Sequence, residues 1–325
     1  MELTLASNGV IPKEEVITEI STGNFIEANT KQVTLEHLKN DTIIPVFSKD
    51  NECTISHNEF IGATQKALKE VIPIYNQLEP NIRISHTIKG RISSAIGKPV
   101  KELLPNEKTI YYERMAFMIE IPGIREKVNG NFLNLVVGGV RAYNQENLYS
   151  KKTIEKFKVF IGFKNQVCTN LCISTDGLLE ELRVSDIVQL QEKIQLLFSG
   201  YNQEKHLGNM ECISKYELTE IQFAHLIGKL KMYNFENAEV KRDLIPIELN
   251  DGQLNNIIKE YYQNEHFSRS KENTINLWNL YNLFTGANKS SYIDNHLERN
   301  VSAFELSQYI ANKLQNEEND WLVYN

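Results

Sequence analysis

The segment 132–173, FLNLVVGGVRAYNQENLYSKKTIEKFKVFIGFKNQVCTNLCI, constrains the fold more than any other part of the chain. From Phe157 to the end of this segment, apolar residues occupy alternate positions, with lysines and amides between them. This period of two predicts a β-strand with one buried face and one hydrated, basic face. Gly138 and Gly139 interrupt a second predicted strand over 132–143, which indicates a bulge or a close backbone approach.

A third run of alternating apolar residues precedes these two, over residues 115–121. The segments that join the three runs, 122–130 and 144–152, suit hairpins and are too short for the crossover that parallel strands need. The prediction is therefore an antiparallel β-meander. Together with helical patterns on both sides of it, the meander predicts an α+β fold, in which it packs with an N-terminal helix and a helical C-terminal half.

Capping boxes mark helix starts on both sides of the meander. A Ser or Thr followed three residues later by Glu or Gln satisfies two free N–H groups in the first turn of a helix. The pair Ser56 with Glu59 predicts a helix over 57–72. In the C-terminal half, Trp278 and Tyr281 lie at helical spacing, which predicts that both are core residues of a helix. The pairs are Ser56 with Glu59, Thr219 with Gln222 and Ser302 with Glu305.

Three regions follow from these patterns. Residues 1–50 show little helical periodicity and are expected to form an extended N-terminal arm. Residues 51–200 hold the antiparallel sheet with its helices. Residues 201–325 hold a helical, acidic region, which the sequence leaves open as part of the same domain or as a second one. A hydrophobic content of 41% over 325 residues suffices for a sizeable core.

The N-terminus and the cysteines indicate the compartment. No basic region followed by an apolar run opens the chain, and no apolar stretch has membrane-spanning length. We therefore expect a cytoplasmic protein without membrane contact. Cys53, Cys168, Cys172 and Cys212 include no C-x-x-C pair. Because Cys168 and Cys172 stand four apart in the predicted strand, we expect them to be reduced, structural thiols.

Six long strings of the sequence are distinctive: GRISSAIGKP, TIYYERMAF, LVVGGVRAYNQENL, FIGFKNQVCTNLC, LTEIQFAHLIGKLKMY and LWNLYNLFTGANKSSYID. They resemble those of an uncharacterised family, a domain of unknown function, related to the wider phage/plasmid-like proteins of prophages and integrative mobile elements. The likeness covers residues 44–304 and implies a mobile-element context, without catalytic residues. In the wider group the counterpart of residues 136–141 resembles an N-S-H-D-G turn, which is absent here.

Catalytic and metal-binding signatures are missing from the sequence. H-E-x-x-H, G-x-S-x-G, the Walker A loop and G-x-G-x-x-G are all absent, and the seven histidines are scattered. We therefore predict a non-enzymatic protein that uses no metal and no cofactor. No feature of the sequence sets its oligomeric state.

The distribution of charge is the strongest functional signal. The net charge is −7, yet residues 81–164 hold 15 Lys and Arg against 7 Asp and Glu, and the remainder holds 20 against 35. Lysines between the apolar positions of a strand favour an exposed basic face for phosphates, with Tyr111, Tyr112, Tyr143 and Phe160 nearby as rings for bases. The predicted nucleic-acid-binding residues are Arg83, Lys89, Arg91, Arg141, Lys151, Lys152, Lys156, Lys158 and Lys164.

Two functions compete on this evidence. The first is non-enzymatic nucleic-acid binding, specifically binding or annealing of single-stranded DNA in replication, recombination or transfer of a mobile element. The second is a protein–protein interaction or counter-defence module without nucleic-acid contact, whose acidic surface meets a basic partner. Exposure of the sheet distinguishes them: an open basic face favours nucleic acid, and a face covered by helices favours the protein partner.

Overall fold

The computed structural model describes residues 23–42, 54–74, 76–95, 97–143, 154–242 and 248–316. Its fold is α+β, as predicted, with a seven-stranded antiparallel sheet, helices, and a small two-stranded sheet in the C-terminal half. Within these ranges no helix is long and apolar enough to span a membrane.

All the described strands pair in antiparallel fashion. Their bounds are β1 (Lys31–Val33), β2 (Asn81–Arg91), β3 (Lys108–Val128), β4 (Asn131–Ala142), β5 (Glu155–Asn165), β6 (Leu171–Cys172), β7 (Leu178–Val184), β8 (Glu217–Thr219) and β9 (Thr274–Asn276). The large sheet has the order β1-β2-β3-β4-β5-β6, β7 also pairs with β5, and β8 pairs with β9. Within residues 1–50, the described part therefore contributes an edge strand to the sheet.

Two of the three predicted capping boxes lie at the start of a described helix. The described helices are α1 (Leu35–Asn40), α2 (His57–Val71), α3 (Ile187–Gly200), α4 (Gln203–Ile213), α5 (Glu220–Tyr233), α6 (Ala238–Arg242), α7 (Asp251–Gln263), α8 (Leu277–Asn288) and α9 (His296–Gln315). The capping boxes at Ser56 and Thr219 are confirmed, but the start predicted at Ser302 is wrong. Helix α9 begins earlier because Leu297, which is 1% exposed, already packs against the sheet. Trp278 and Tyr281 are fully buried in α8, as predicted.

The predicted meander is confirmed as β3, β4 and β5. Asn129 and Gly130 have φ angles of 45° and 84° and form the tight turn between β3 and β4. An Asn-Gly pair tolerates these left-handed angles, so the strands continue almost to the turn. Strand β3 therefore occupies most of the segment 122–130, which was predicted to be a connection.

Gly138 and Gly139 allow neighbouring groups to approach β4 closely, as predicted. A Cβ atom on Gly139 would collide with the ring of Phe60, which α2 packs onto this side of the sheet. A Cβ atom on Gly138 would collide with the backbone of β3 at Phe117. Glycine is therefore required on both sides of the strand at its centre.

The strand predicted over 157–173 is wrong beyond Asn165. The chain turns there and returns as β6, in which Cys172 lies opposite Phe163. Val167, one of the apolar positions in the pattern, is on the turn and 37% exposed. The alternation of apolar residues continues through the turn, and such a pattern carries no information about a reversal of chain direction.

Helices cover the first face of the sheet. The apolar residues at odd positions of β3, β4 and β5 form one continuous core with α2, α3 and the helices of the C-terminal half. The C-terminal half therefore packs on the sheet, and α4 contacts β3 directly.

The second face is also covered, so the expectation of a hydrated face is wrong. Phe25 and Ile26 pack on it from the N-terminal side, and the 3-10 turn Ile293–Asn295 and Leu297 pack on it from the C-terminal side. The apolar side chains of this cover are at most 2% exposed, namely Phe25, Ile26, Ile293 and Leu297. The sheet residues that they cover include Ala116, Met118, Val136, Val140, Phe160, Leu171 and Ile173.

Candidate functional site

The basic face of the sheet is closed by acids of the same chain. Lys158 of β5 forms an ion pair with Glu298 of α9 and donates a hydrogen bond to the main-chain carbonyl of Asp294. Lys164, which is 5% exposed, forms an ion pair with Glu120 of β3. The expectation that these two lysines point into solvent is therefore wrong, because each has a carboxylate partner inside the protein.

Glu120 shows why a lysine occurs at position 164. Its Oε1 accepts hydrogen bonds from Asn134 Nδ2 at 2.6 Å and Gln166 Nε2 at 3.0 Å, and its Oε2 accepts one from Lys164. The Glu120 side chain is only 11% exposed, and a carboxylate so far from water is costly unless it is paired and hydrogen-bonded. Lys164 thus neutralises a buried acid instead of attracting a ligand.

Arg141 is the most deeply buried of the predicted cations, at 1% exposure. Its guanidinium forms an ion pair with Glu155, donates to the carbonyl of Ile55, and lies 4.5 Å and 4.4 Å from the ring centroids of Tyr143 and Phe157. The Glu155 carboxylate also accepts from the Ile55 amide at 3.0 and 3.1 Å. Arg141 therefore holds the chain entering α2 onto the sheet and is not available to a ligand.

Two more of the predicted cations make internal contacts. Arg83 is 8% exposed and donates to Thr30 Oγ1 and to the Thr30 carbonyl, both at 3.0 Å, and to Asn24 Oδ1 at 3.3 Å. Burial lowers the pKa of the Arg83 guanidinium. Lys156 is half-buried and lies 4.0 Å from Glu181 of β7. Arg83 thus joins the segment 24–30 to the sheet, and Lys156 links two strands within the sheet.

The remaining predicted cations are remote from the sheet face or outside the described residues. Lys89 is exposed near the end of β2, where Arg91 is half-buried and donates to the Lys98 carbonyl. Lys151 and Lys152 lie outside the described residues. The described members of the predicted set therefore do not form one basic platform.

The rings predicted to stack on bases are not available either. Tyr112, Tyr143 and Phe160 are 6%, 1% and 1% exposed. Tyr111 is half-buried, with its ring centroid 6.0 Å from that of Tyr143. A single-stranded nucleic acid would therefore find neither free rings nor a row of free cations on the sheet face.

The contrast in charge along the sequence has an internal explanation. Arg114 donates to Asp294 at 2.8 Å, and Lys158 is paired with Glu298. The cations belong to the basic segment 81–164, and these acids belong to the acidic C-terminal half. Opposite charges on the two halves of the sequence therefore pair with each other where α9 and the turn before it meet the sheet.

A polar cleft lies beside this junction. Its volume is about 700 Å³, within the range of ligand sites in proteins. Its four carboxylates face two permanently charged cations, so the lining carries net negative charge. The lining residues are His86, Arg114, Lys158, Glu180, Glu248, Tyr292, Asp294, Asn295 and Glu298.

The carboxylates of the cleft are incompletely satisfied. Asp294 Oδ1 and Glu298 Oε2 are buried and have no hydrogen-bond partner among the described residues. Burial raises the pKa of Glu298, and the hydrogen bond from Lys158 opposes that shift. Glu180 and Glu248 are exposed, and neither forms an ion pair with a described residue. A cation that enters the cleft would therefore meet the accessible carboxylates of Glu180 and Glu248, which no described residue pairs.

His86 connects this cleft with the outer part of β2. Its φ of 30° is uncommon for a residue with a side chain, and its pairing with β3 is interrupted at that point. Its Nδ1 lies 3.3 Å from an Arg114 nitrogen. The strand therefore bends at the rim of the cleft.

Cys168 and Cys172, which lie just beyond β5 and in β6, are weak nucleophiles. Burial raises the pKa of Cys168 to about 11 and raises that of Cys172 further, which disfavours the reactive thiolate. Cys168, Cys172 and Cys212 are free thiols, as predicted for the first two, and Cys53 lies outside the described residues. In the part of the chain that the structure describes, no group of three or more His, Cys, Asp or Glu residues could hold a metal ion.

Comparison with protein families matches residues 5–323 to a family described as "Domain of unknown function, B. Theta Gene description (DUF3871)". The chain belongs to this family. The match spans nearly the whole sequence and agrees with the uncharacterised family that the sequence strings indicated. Neither the curated proteins nor the solved structures contain a match to this DUF3871 chain.

Sequence reasoning missed the acids of the cleft. Asp294 and Glu298 stand four positions apart, which places them on one side of a helical turn, and this spacing was visible in the sequence. Their position opposite the cations was not visible, because Arg114 and Asp294 are 180 residues apart and Lys158 and Glu298 are 140 residues apart.

Proposed function

We propose that this protein is a non-enzymatic protein-interaction module that receives a basic side chain of a partner protein in its polar cleft. The observation that carries the proposal is the excess of carboxylates in the cleft, where the exposed Glu180 and Glu248 form no ion pair with a described residue. A guanidinium or ammonium group supplies several N–H donors and a compensating charge. The closed sheet face supports the same choice over a single-stranded DNA platform.

The partner's basic group would enter beside the existing ion pairs. Arg114 and Lys158 already engage one oxygen each of Asp294 and Glu298, which holds both carboxylates in place. The exposed Glu180 and Glu248 at the cleft add long-range attraction for a cation, which speeds association. Asp294 and Glu298 are thus held by ion pairs, whereas Glu180 and Glu248 are exposed at the same cleft.

The setting of this interaction forms part of the proposal. The resemblance to phage/plasmid-like proteins supports a mobile-element context, in which a module of this kind would bind and block a component of a host system in the cytoplasm. A net charge of −7 favours a basic partner for the acidic part of the surface.

A labelled peptide tests the proposal. We expect the full chain to bind a short fluorescent peptide with two arginines at low salt, and to bind the same peptide with citrulline in their place much more weakly. Replacing Glu180→Gln together with Glu248→Gln removes about 1 kcal/mol of attraction, or about fivefold in affinity, because each exposed charge contributes a fraction of that amount. Fluorescence anisotropy measures both effects.

The matched control exchanges two exposed acids away from the cleft, Glu192→Gln with Glu204→Gln. It removes the same charge and should leave affinity for the peptide nearly unchanged. Equal weakening by both double variants would show that net charge alone attracts the peptide. Absence of arginine-dependent binding at micromolar protein would refute the cleft as a site for basic side chains.

A further inference from the structure

A basic ribbon extends the sheet beyond the closed face. We use this name for residues 87–91 of β2 and 108–112 of β3. Among the described residues these two segments pair with each other, since pairing of β3 with β4 begins at Arg114. Arg91 lies opposite Lys108 and Lys89 opposite Ile110. Because opposite residues and residues two apart share a face, Lys89, Arg91 and Lys108 lie on the same side of the ribbon.

The cations of the ribbon differ from those of the sheet face in their surroundings. Lys89 and Lys108 are exposed, and neither forms an ion pair with a described residue. Residues 87–110, the ribbon and its connection, hold five Lys and Arg against two Glu. One of these acids, Glu107, is paired with Lys98 at 2.8 Å. A net positive charge thus remains on this part of an acidic protein, and the described residues hold no ion-pair partner for Lys89 or Lys108.

The shape of the patch indicates a linear polyanion. Cations two residues apart on a β-strand are separated by about 6.6 Å. This distance is about twice the axial rise per phosphate along one strand of duplex DNA, which is about 3.4 Å. The tyrosines of the ribbon are covered: Tyr112 is 6% exposed and bonded to His37 at 2.7 Å, and Tyr111 is half-buried. Without free rings, the ribbon offers contacts to the phosphate backbone and none to unstacked bases.

We propose that the basic ribbon binds the phosphate backbone of double-stranded DNA, without sequence preference, through Lys89, Arg91 and Lys108. The connection between its strands adds exposed apolar side chains, Val100 at 68% and Leu104 at 55%. Proteins that bind the minor groove of a duplex often combine cations with apolar side chains that insert between base steps. The ribbon shares no residue with the lining of the acidic cleft, although His86 of that lining precedes it directly, and this proposal does not depend on the proposed protein partner.

Salt dependence of binding tests this inference on the full chain. Three phosphate contacts predict a log–log slope of about −2.7 for a duplex, and hence an affinity about 40-fold lower at 200 mM than at 50 mM salt. The variant Lys89→Gln/Lys101→Gln/Lys108→Gln removes two of the three proposed contacts and the exposed lysine of the connection, and it keeps Arg91, which is bonded to the Lys98 carbonyl. It should flatten the slope by about 1.8, because each phosphate contact accounts for about 0.9. Anisotropy with a labelled 20-base-pair duplex and the matching single strand measures the slopes.

A matched variant, Lys66→Gln/Lys205→Gln/Lys271→Gln, removes three exposed lysines elsewhere and should keep the slope and affinity for the duplex. Circular dichroism confirms that both variants are folded. The inference is overturned if the duplex fails to bind at 50 mM salt, if the two variants lose affinity equally, or if the single strand binds more tightly than the duplex. Binding of vesicles of anionic lipid in place of the duplex would also overturn it and assign the ribbon to membranes.

Discussion

Replacing the lysines of the closed sheet face one at a time should lower the free energy of unfolding by amounts that increase with the burial of each ion pair. Lys164 and its partner Glu120 have side chains 6% and 11% exposed, Lys158 and Glu298 15% and 11%, and Lys156 and Glu181 37% and 61%. Removing one member of a buried pair costs about 3–5 kcal/mol, whereas an exposed pair contributes about 0–1 kcal/mol.

The expected losses follow this burial. Lys164→Met should lower the free energy of unfolding by about 3 kcal/mol. Lys158→Met should cost about 2 kcal/mol, because water reaches part of its pair, and Lys156→Met less than about 0.5 kcal/mol. Methionine keeps an unbranched chain of similar length and removes the charge and the donors. Urea unfolding followed by circular dichroism measures these losses, and a 3 kcal/mol loss moves the midpoint by about 1 M if the slope is near 3 kcal/mol/M.

A double-mutant cycle identifies the cause of the largest loss. If Lys164→Met is costly because it leaves Glu120 buried and uncompensated, then Glu120→Leu in the same chain should recover part of the stability, with a coupling energy of about 1–3 kcal/mol. The reasoning is refuted if the three lysine variants have equal, small effects, since that result would mean a hydrated basic face.

Other features give further predictions. Trp278→Ala should lower the unfolding free energy by about 3–5 kcal/mol in urea titrations, and a loss below about 1 kcal/mol would contradict its burial. Gly139→Ala should cost about 1–3 kcal/mol by overpacking, since the new Cβ meets the α2 phenyl ring and a carbonyl at 2.6 Å; unchanged stability would show that α2 can shift. Burial lowers the pKa of His57 and His206 to about 3 and of His296 to about 4. Between these values and 6.5 the unfolded chain binds more protons, so stability should fall with falling pH, by up to about 1.4 kcal/mol per pH unit for each histidine. Equal unfolding free energies at pH 7 and pH 5 would contradict neutral burial of these rings.

Local patterns predicted the elements of this fold well. The alternation that identified β4 and β5, and the capping boxes at Ser56 and Thr219, each depend on residues close together in the sequence. The predicted strand that continued past Asn165 failed because alternation persists through the β5–β6 turn. The predicted helix start at Ser302 failed because burial against a distant strand set the true start of α9.

The candidate site was much less accessible to the same reasoning. A lysine between two apolar residues of a strand gives one pattern whether it faces water or a buried carboxylate. Lys158 and Glu298 are 140 residues apart, so their pairing depends on how the C-terminal half docks on the sheet. Periodicity describes one element at a time. The second face of the sheet is covered by segments from distant parts of the sequence, which the periodicity of a strand does not report.

The way in which the second face is closed has a consequence for biosynthesis. Its cover comes from Phe25 and Ile26 near one end of the described chain and from Ile293 and Leu297 near the other. Strand β7, the last of the large sheet, ends at Val184, more than a hundred residues before the C-terminal part of that cover. At translation rates of about 5–20 residues per second, the finished sheet would wait roughly 5–20 s on the ribosome with an apolar face only half covered. During that interval a nascent chain of this protein should be a strong substrate for chaperones that bind apolar surfaces.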